Sequence, residues 1–287
     1  MELSAKEFFS GHFSDNALHL HEPDWDIGGG KLTTQGIDEL AKHPDAECIS
    51  ISGLRQDTFE YLIRTFGPQL KAICFFKNKL VEDWSLLGTL PKLEYVYWFG
   101  NQRIDRLWDM HENQALKGLL ISDFSRLHSI EGIEKARALR YFSIGNAIWS
   151  MMAVDSLMPL AKTKITDLEF FGRKISDGDL SFFSSLHDLQ NFNCALNLFP
   201  TEQYAWIAAN CPKAEGRALH PKEDGPVYVT RKGGPDTGLP GTYIIGKRKP
   251  ALTYEGNEAK IQKYVDSFER MKKEYRGIPF KEAFPDK

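Results

Sequence analysis

Two kinds of residue in this 287-residue sequence have the types and spacing to do chemistry. The first kind is ionisable side chains two residues apart. His19-x-His21 puts two imidazoles on one side of an extended segment, close to Glu22, Asp24 and Asp26. Such a pair ligates a metal when a third donor is fixed by spacing, and none is. A solvated acidic loop accounts for the run, so no metal and no cofactor are expected. Asp167-x-Glu169 likewise projects two carboxylates to one side. Paired carboxylates do acid–base work when their pKa values are driven apart, and nothing nearby in the sequence does so. No Ser, Thr or Cys has a nucleophile's setting. Gly28-Gly29-Gly30 lacks the strand-to-helix context of a phosphate loop. Arg231, Lys232, Lys247, Arg248 and Lys249 read as the solvated surface of a hairpin. No catalytic residue is expected.

The second kind is aromatic. Phe76, Tyr95, Tyr97, Phe99, Tyr141 and Phe171 fall at alternate positions of short apolar segments. A ring buries roughly 150–250 Å². Several together exceed what a monomer leaves exposed in one patch, so a partner or the chain itself must cover them.

What positions these residues is a degenerate repeat from Ala46 to about Leu219. One copy reads Leu70-x-x-Ile73-x-Phe75-x-x-Asn78-x-Leu80 and the next Leu93-x-x-Val96-x-Trp98-x-x-Asn101. First apolar positions are Ala46, Leu70, Leu93, Leu116, Leu139, Ile165, Leu189 and Ala214, at intervals of 24, 23, 23, 23, 26, 24 and 25 residues. Three and five residues after each anchor the chain is apolar again, Arg217 excepted. That alternation is a short strand with one buried face. A coil of this length cannot bury its own apolar face, but a stack of coils can.

The pattern resembles the leucine-rich repeat family over roughly 175 residues. The resemblance implies an α/β fold: a right-handed solenoid with a parallel sheet on its concave side. It also implies an Asn eight residues after the anchor, bonding backbone at the turn. Asn stands there at 78, 101 and 197; Leu54, Phe124, Ala147, Arg173 and Lys222 replace it elsewhere. Thr33–Lys42, Gln56–Phe66, Asp177–Leu186 and Thr201–Asn210 read as short amphipathic helices on the return path, whereas 81–90 and 103–113 read as turns.

Three segments follow. Residues 1–30 form an N-terminal cap, with Ala17–His21 as a capping strand, and 31–220 form the solenoid. Residues 221–287 add a hairpin (Val227–Thr230 and Thr242–Ile245, with the Arg231–Gly241 loop between) and a helix capped by Asn257. The helix stripe Ile261, Tyr264, Val265, Phe268, Met271 and Tyr275 must pack on something. It either caps the solenoid or folds across the concave face.

A net charge of −3 gives no electrostatic reason to expect nucleic acid. No apolar run of 18 residues and no leader are evident, so no membrane partner is expected. Cys194 and Cys211 read as buried thiols; Cys48 and Cys74 lie on neighbouring strands out of register, so a disulfide between them is not favoured. A reducing, cytoplasmic location is expected. The function expected is non-enzymatic binding of a protein or peptide. The face would consist of Phe76, Tyr95, Tyr97, Phe99, Tyr141 and Phe171, with Asp167 and Glu169 as its acidic edge. The alternatives are a tail-covered structural or autoinhibited module, and a glycan site using Asp167 and Glu169 beside the rings.

Overall fold

The computed structural model describes residues 8–9, 17–146, 152–229 and 237–285. Parts of the expected cap and of the hairpin loop, with Arg231 and Lys232, lie outside the described residues. The chain divides into two compact units, 1–186 and 187–287.

The first unit is built on one parallel sheet. Its strands are β1 (Leu18–Leu20), β2 (Cys48–Ser52), β3 (Ala72–Phe76), β4 (Tyr95–Asn101), β5 (Gly118–Phe124), β6 (Tyr141–Gly145) and β8 (Asp167–Phe171). Two short strands, β7 (Ala153–Val154) and β9 (Lys174–Ile175), pair separately. The main ladder is in register with the repeat: Ile49 pairs Ile73, Ile73 pairs Val96, then Leu119, Phe142 and Leu168 follow. Strand β1 adds to this ladder through Leu18 and Leu20, opposite Ile49 and Ile51. Each apolar residue three or five positions past its anchor, from Ile49 to Phe170, is at most 1% exposed. Period-2 alternation therefore sends one set of side chains into a dry core and the other to the opposite face.

Buried amides join the coils. Asn78 Nδ2 donates to Ile51 O, and its Oδ1 accepts from Leu54 N. Asn101 donates to Asn78 O and Val81 O and accepts from Arg103 N and Ile104 N, so all its capacity is used. Asn113, not singled out by the repeat, works the same way. It donates to Leu87 O and Leu90 O and accepts from Trp108 Nε1. With short parallel strands, asparagine-held turns and a 23–26-residue period, the fold is a leucine-rich repeat solenoid.

Return segments differ coil by coil. Helix α1 (Thr34–Ile37), with Thr33 Oγ1 accepting from Gly36 N, runs into a 3₁₀ turn at Asp38–Lys42. Helix α2 (Gln56–Phe66) buries Phe59, Leu62 and Ile63, the one-sided spacing of an amphipathic helix. Five-residue 3₁₀ turns serve at Ser85–Thr89 and Met158–Lys162. The helix expected over Asp177–Leu186 is instead a 3₁₀ turn at Ser181–Ser185. Asp177 and Asp179 take the backbone N–H groups of Asp179 and Ser181 with their side chains, a local bond that competes with helix.

In the second unit β10 (Asn191–Cys194) is followed by helix α3 (Thr201–Asn210). Asn197 does not hold this turn as expected; it is exposed. The Tyr204 hydroxyl replaces it, accepting from Leu198 N and Phe199 N and donating to Ala195 O. The eighth copy makes one bridge, Asn191 to Glu215, and then a 3₁₀ turn rather than a strand. Gly216 has φ +145, and a Cβ there would meet Phe192 O at 2.0 Å, so the chain turns away where a strand would continue.

The hairpin strands are longer than their composition indicated. They are β11 (Lys222–Val229) and β12 (Thr237–Ile244), and a third strand, β13 (Ala251–Thr253), joins them. Helix α4 (Glu258–Glu274) buries Ile261 and Phe268, and α5 (Phe280–Ala283) follows. Asn257 stands at the cap position, but its side chain turns to Thr253 and Glu255 and does not cap. Within this unit α4 packs on α3, and Trp206 Nε1 donates to Ile278 O.

Replacing Asn101 by Ala orphans two N–H and two carbonyl groups in a dry setting. We expect a loss of about 3 kcal/mol, read as a lower urea midpoint. Asn197→Ala, at an exposed position, is expected to change stability by less than about 0.5 kcal/mol.

Candidate functional site on the outward face of the sheet

The same alternation that fills the core places Ala72, Cys74 and Phe76 of β3 outward. It does the same for Tyr95, Tyr97 and Phe99 of β4 and for Tyr141 of β6. Asp167, Glu169 and Phe171 of β8 complete the face. All eight residues expected on this face thus lie on one side of one sheet. They do not form a single open patch, as expected from the sequence. The aromatic residues other than Phe171 fall into two clusters, each partly covered by a segment from the N-terminal end.

The first cluster centres on β4 and β6. Ala72, Cys74, Tyr95 and Tyr141 are buried there, with Phe8, Phe9, Ala17, Cys48, Tyr97 and Leu120 packed around them. Phe8 lies flat on Tyr95, ring centroids 4.1 Å apart and 14° from parallel. Phe9 meets Tyr95 edge-on at 5.9 Å and touches Tyr141 at 5.4 Å and Tyr97 at 6.5 Å. These are the offset and edge-to-face arrangements that ring quadrupoles favour. Under this cover Tyr95 is 7% and Tyr141 5% exposed.

The second cluster joins β3 and β4. Phe76 and Phe99 pair in register and stack at 5.2 Å. Trp25 reaches them from the loop after β1, 5.1 Å from Phe76, and Lys77 Nζ stands 5.3 Å from the same ring. That loop is shaped by Glu22, a buried carboxylate that accepts from Gly29 N at 2.6 Å and Lys31 N at 2.7 Å. Gly53 must lack a side chain, because a Cβ there would lie 2.6 Å from Glu22. Trp25 and Ile27 are left 51% and 56% exposed.

The acidic edge is tied to the first cluster. Tyr141 OH donates to Glu169 Oε2 at 2.9 Å, and Thr166 Oγ1 donates to Asp167 Oδ2 at 2.7 Å. Burial, then the Glu169 charge, pushes the Tyr141 phenol far above its ordinary value. Burial likewise raises Tyr97 to about 12. The Tyr141 hydroxyl is the donor in its bond to Glu169. Phe171, 38% exposed, closes this end of the face.

The histidine pair forms a chain of contacts: His19 Nδ1 to His21 Nε2 at 3.3 Å, and His21 Nδ1 to Ser52 Oγ at 3.1 Å. Burial, then His19, lowers the pKa of His21. Among the described residues no three His, Cys, Asp or Glu side chains converge as a metal site would require. No helix among them is long and apolar enough to cross a membrane. The four cysteines form no disulfide.

Sequence reasoning missed Phe8, Phe9, Trp25 and Ile27. The signal for the first two was the adjacent aromatic pair in a polar stretch. Trp25 and Ile27 stood in an acidic loop whose fold depends on Glu22.

No family model matches the chain, and no curated protein does. Among solved structures it is similar to an internalin (inlF) from Listeria monocytogenes str. 4b F2365, at 18% identity and a TM-score of 0.43. The match covers 61% of this chain and 49% of that one, so it spans about half the internalin's length. At this level the likeness bears on neither partner nor site.

Burial raises Cys48 to about 12 and Cys74 to about 11. An unfolded chain ionises its thiols near pH 8.5, before these two do. Stability is therefore unaffected by them below about pH 8.5. It falls as pH rises through the folded values and flattens above them. Urea titrations between pH 8 and 12 check this. At pH 8 Ellman's reagent should reach both thiols only after unfolding.

Proposed function

We propose that the protein is a non-enzymatic binding module that takes a polypeptide on the outward face of its parallel sheet. The observation that supports this reading is that the face already accommodates side chains standing on it: Phe8 stacked on Tyr95, and Phe9 seated against Tyr95, Tyr97 and Tyr141. A surface that receives two phenylalanine rings from outside the sheet has the chemistry of an aromatic-anchor interface. Glu169, held by Tyr141 and partly buried, gives the ligand a preferred polarity by favouring a basic residue next to the anchor. The stacked Phe76–Phe99 pair with Trp25 and Ile27 offers a flanking apolar surface, and Phe171 a third contact.

The reading includes a reducing, cytoplasmic setting, in which the four cysteines stay as thiols. Net charge of −3 supports a protein rather than a nucleic-acid partner.

Panning a displayed random-peptide library on the full-length chain tests the reading. Enriched peptides should carry aromatic residues, and their affinity should fall at least about tenfold with Tyr97→Ala, a truncation of a typical interface anchor. Peptides that bind Tyr97→Ala as tightly as wild type overturn it. So does a library that yields no binder to wild type or to the Phe8→Ala/Phe9→Ala chain.

A further inference from the structure

We propose that Phe8 and Phe9 are a displaceable ligand in cis, and that the partner's binding element is a segment carrying two adjacent aromatic side chains. The inference rests on the proposed function and specifies its ligand and its control.

The socket's dimensions come from the register. Tyr95 pairs Gly118, and Gly118 pairs Tyr141. Strands lie about 4.8 Å apart, so the two tyrosines stand about 10 Å apart with no side chain between them. Phe9 contacts both of these rings, as a group seated above that gap must. Phe8 uses a different surface, the flat face of Tyr95, in a cluster that also holds the small side chains of Ala72 and Cys74. The site therefore has two adjoining ring positions with different geometry, one stacked and one edge-on. Two consecutive aromatic residues fill both.

The pair is seated on a sheet whose own core is complete without it. The inward residues of β2 to β8 are at most 1% exposed through contacts beneath the sheet. Removing Phe8 and Phe9 uncovers side chains of the outward cluster, Tyr95, Tyr97 and Tyr141 among them. Both residues are partly, not fully, buried where they sit. A covering element of this kind can exchange with an equivalent one supplied by another molecule.

The strength of control follows from tethering. A cis ligand at an effective concentration of about 1 mM, with an intrinsic Kd of about 10 μM, weakens an incoming ligand about 100-fold. The partner must then bind tightly, or arrive when the N-terminal segment is held elsewhere.

The test uses the chain's own segment as probe. A fluorescent peptide of residues 4–11 is titrated by anisotropy into full-length wild type and into full-length Phe8→Ala/Phe9→Ala. We expect micromolar binding to the variant and about 100-fold weaker binding to wild type. The same peptide with both phenylalanines replaced by Ala should not bind, and adding Tyr95→Ala to the variant should abolish binding. A variant that is folded by circular dichroism but does not bind the peptide, or binds it no better than wild type, overturns the proposal. Should the variant not fold, 4-fluorophenylalanine at position 9 of the wild-type chain reports directly. Unlabelled peptide at about 1 mM, equal to the effective concentration of the tethered pair, should shift about half of the fluorine signal to the solvent-exposed position, and an unmoved resonance overturns the proposal. Wild type that dimerises by exchanging the pair, while the variant stays monomeric, also overturns it, because the occupant is then a second copy. If the peptide fails here while library binders still depend on Tyr97, this inference falls and the proposed function stands. Loss of both rejects the face as a binding site.

Discussion

The in-register stacking of one coil on the next is the constraint on which the rest of the molecule depends. Ile49, Ile73, Val96, Leu119, Phe142 and Leu168 form one row through the first unit. No coil of two dozen residues could dry these side chains alone; each is buried by the coil before and the coil after. Asn78 and Asn101 make the stacking specific, because their amides bond backbone of the preceding turn. A slip of one residue would turn the buried row outward and leave those amides unpaired in the interior.

The outward face inherits its order from that row. Because the inward residues are locked, the residues between them are held in fixed positions at strand spacing. The backbone positions of Tyr95, Tyr97 and Tyr141 are therefore fixed relative to one another by the sheet. Little conformational entropy remains to be lost when something docks on them, which is the condition for a preorganised interface. The neighbouring cluster is built differently. There a loop folded around the Glu22 carboxylate brings Trp25 to Phe76.

Much of this could be read from residue spacing. Seven of the eight anchors lead into strands and Ala214 does not; the anchors gave the register and alternation gave the outward set, since both depend only on local periodicity and burial. Gln56–Phe66 was recognisable as a helix because its apolar spacing is that of one buried face. Other elements depended on contacts that spacing does not encode. Asp177 and Asp179 preferred their own backbone bonds to a helix, and the Tyr204 hydroxyl took over a turn that Asn197 appeared placed to hold. The largest gap concerned coverage. Phe8 and Phe9 lie some 85 to 130 residues from the tyrosines they meet. An aromatic pair in a polar stretch has no periodic partner, so only the three-dimensional arrangement reveals its destination.

The spacing of the socket has a consequence for how such a surface can change by descent. Tyr95, Gly118 and Tyr141 are separated by 23 residues each, so the recess is written into three consecutive coils and nowhere else in the sheet. Duplication or loss of a coil outside that block would lengthen or shorten the solenoid and pass the recess on unaltered. The same event inside the block would erase it in a single step, or set a second copy beside it. The inheritable unit of recognition here is thus a triplet of coils, not a list of residues.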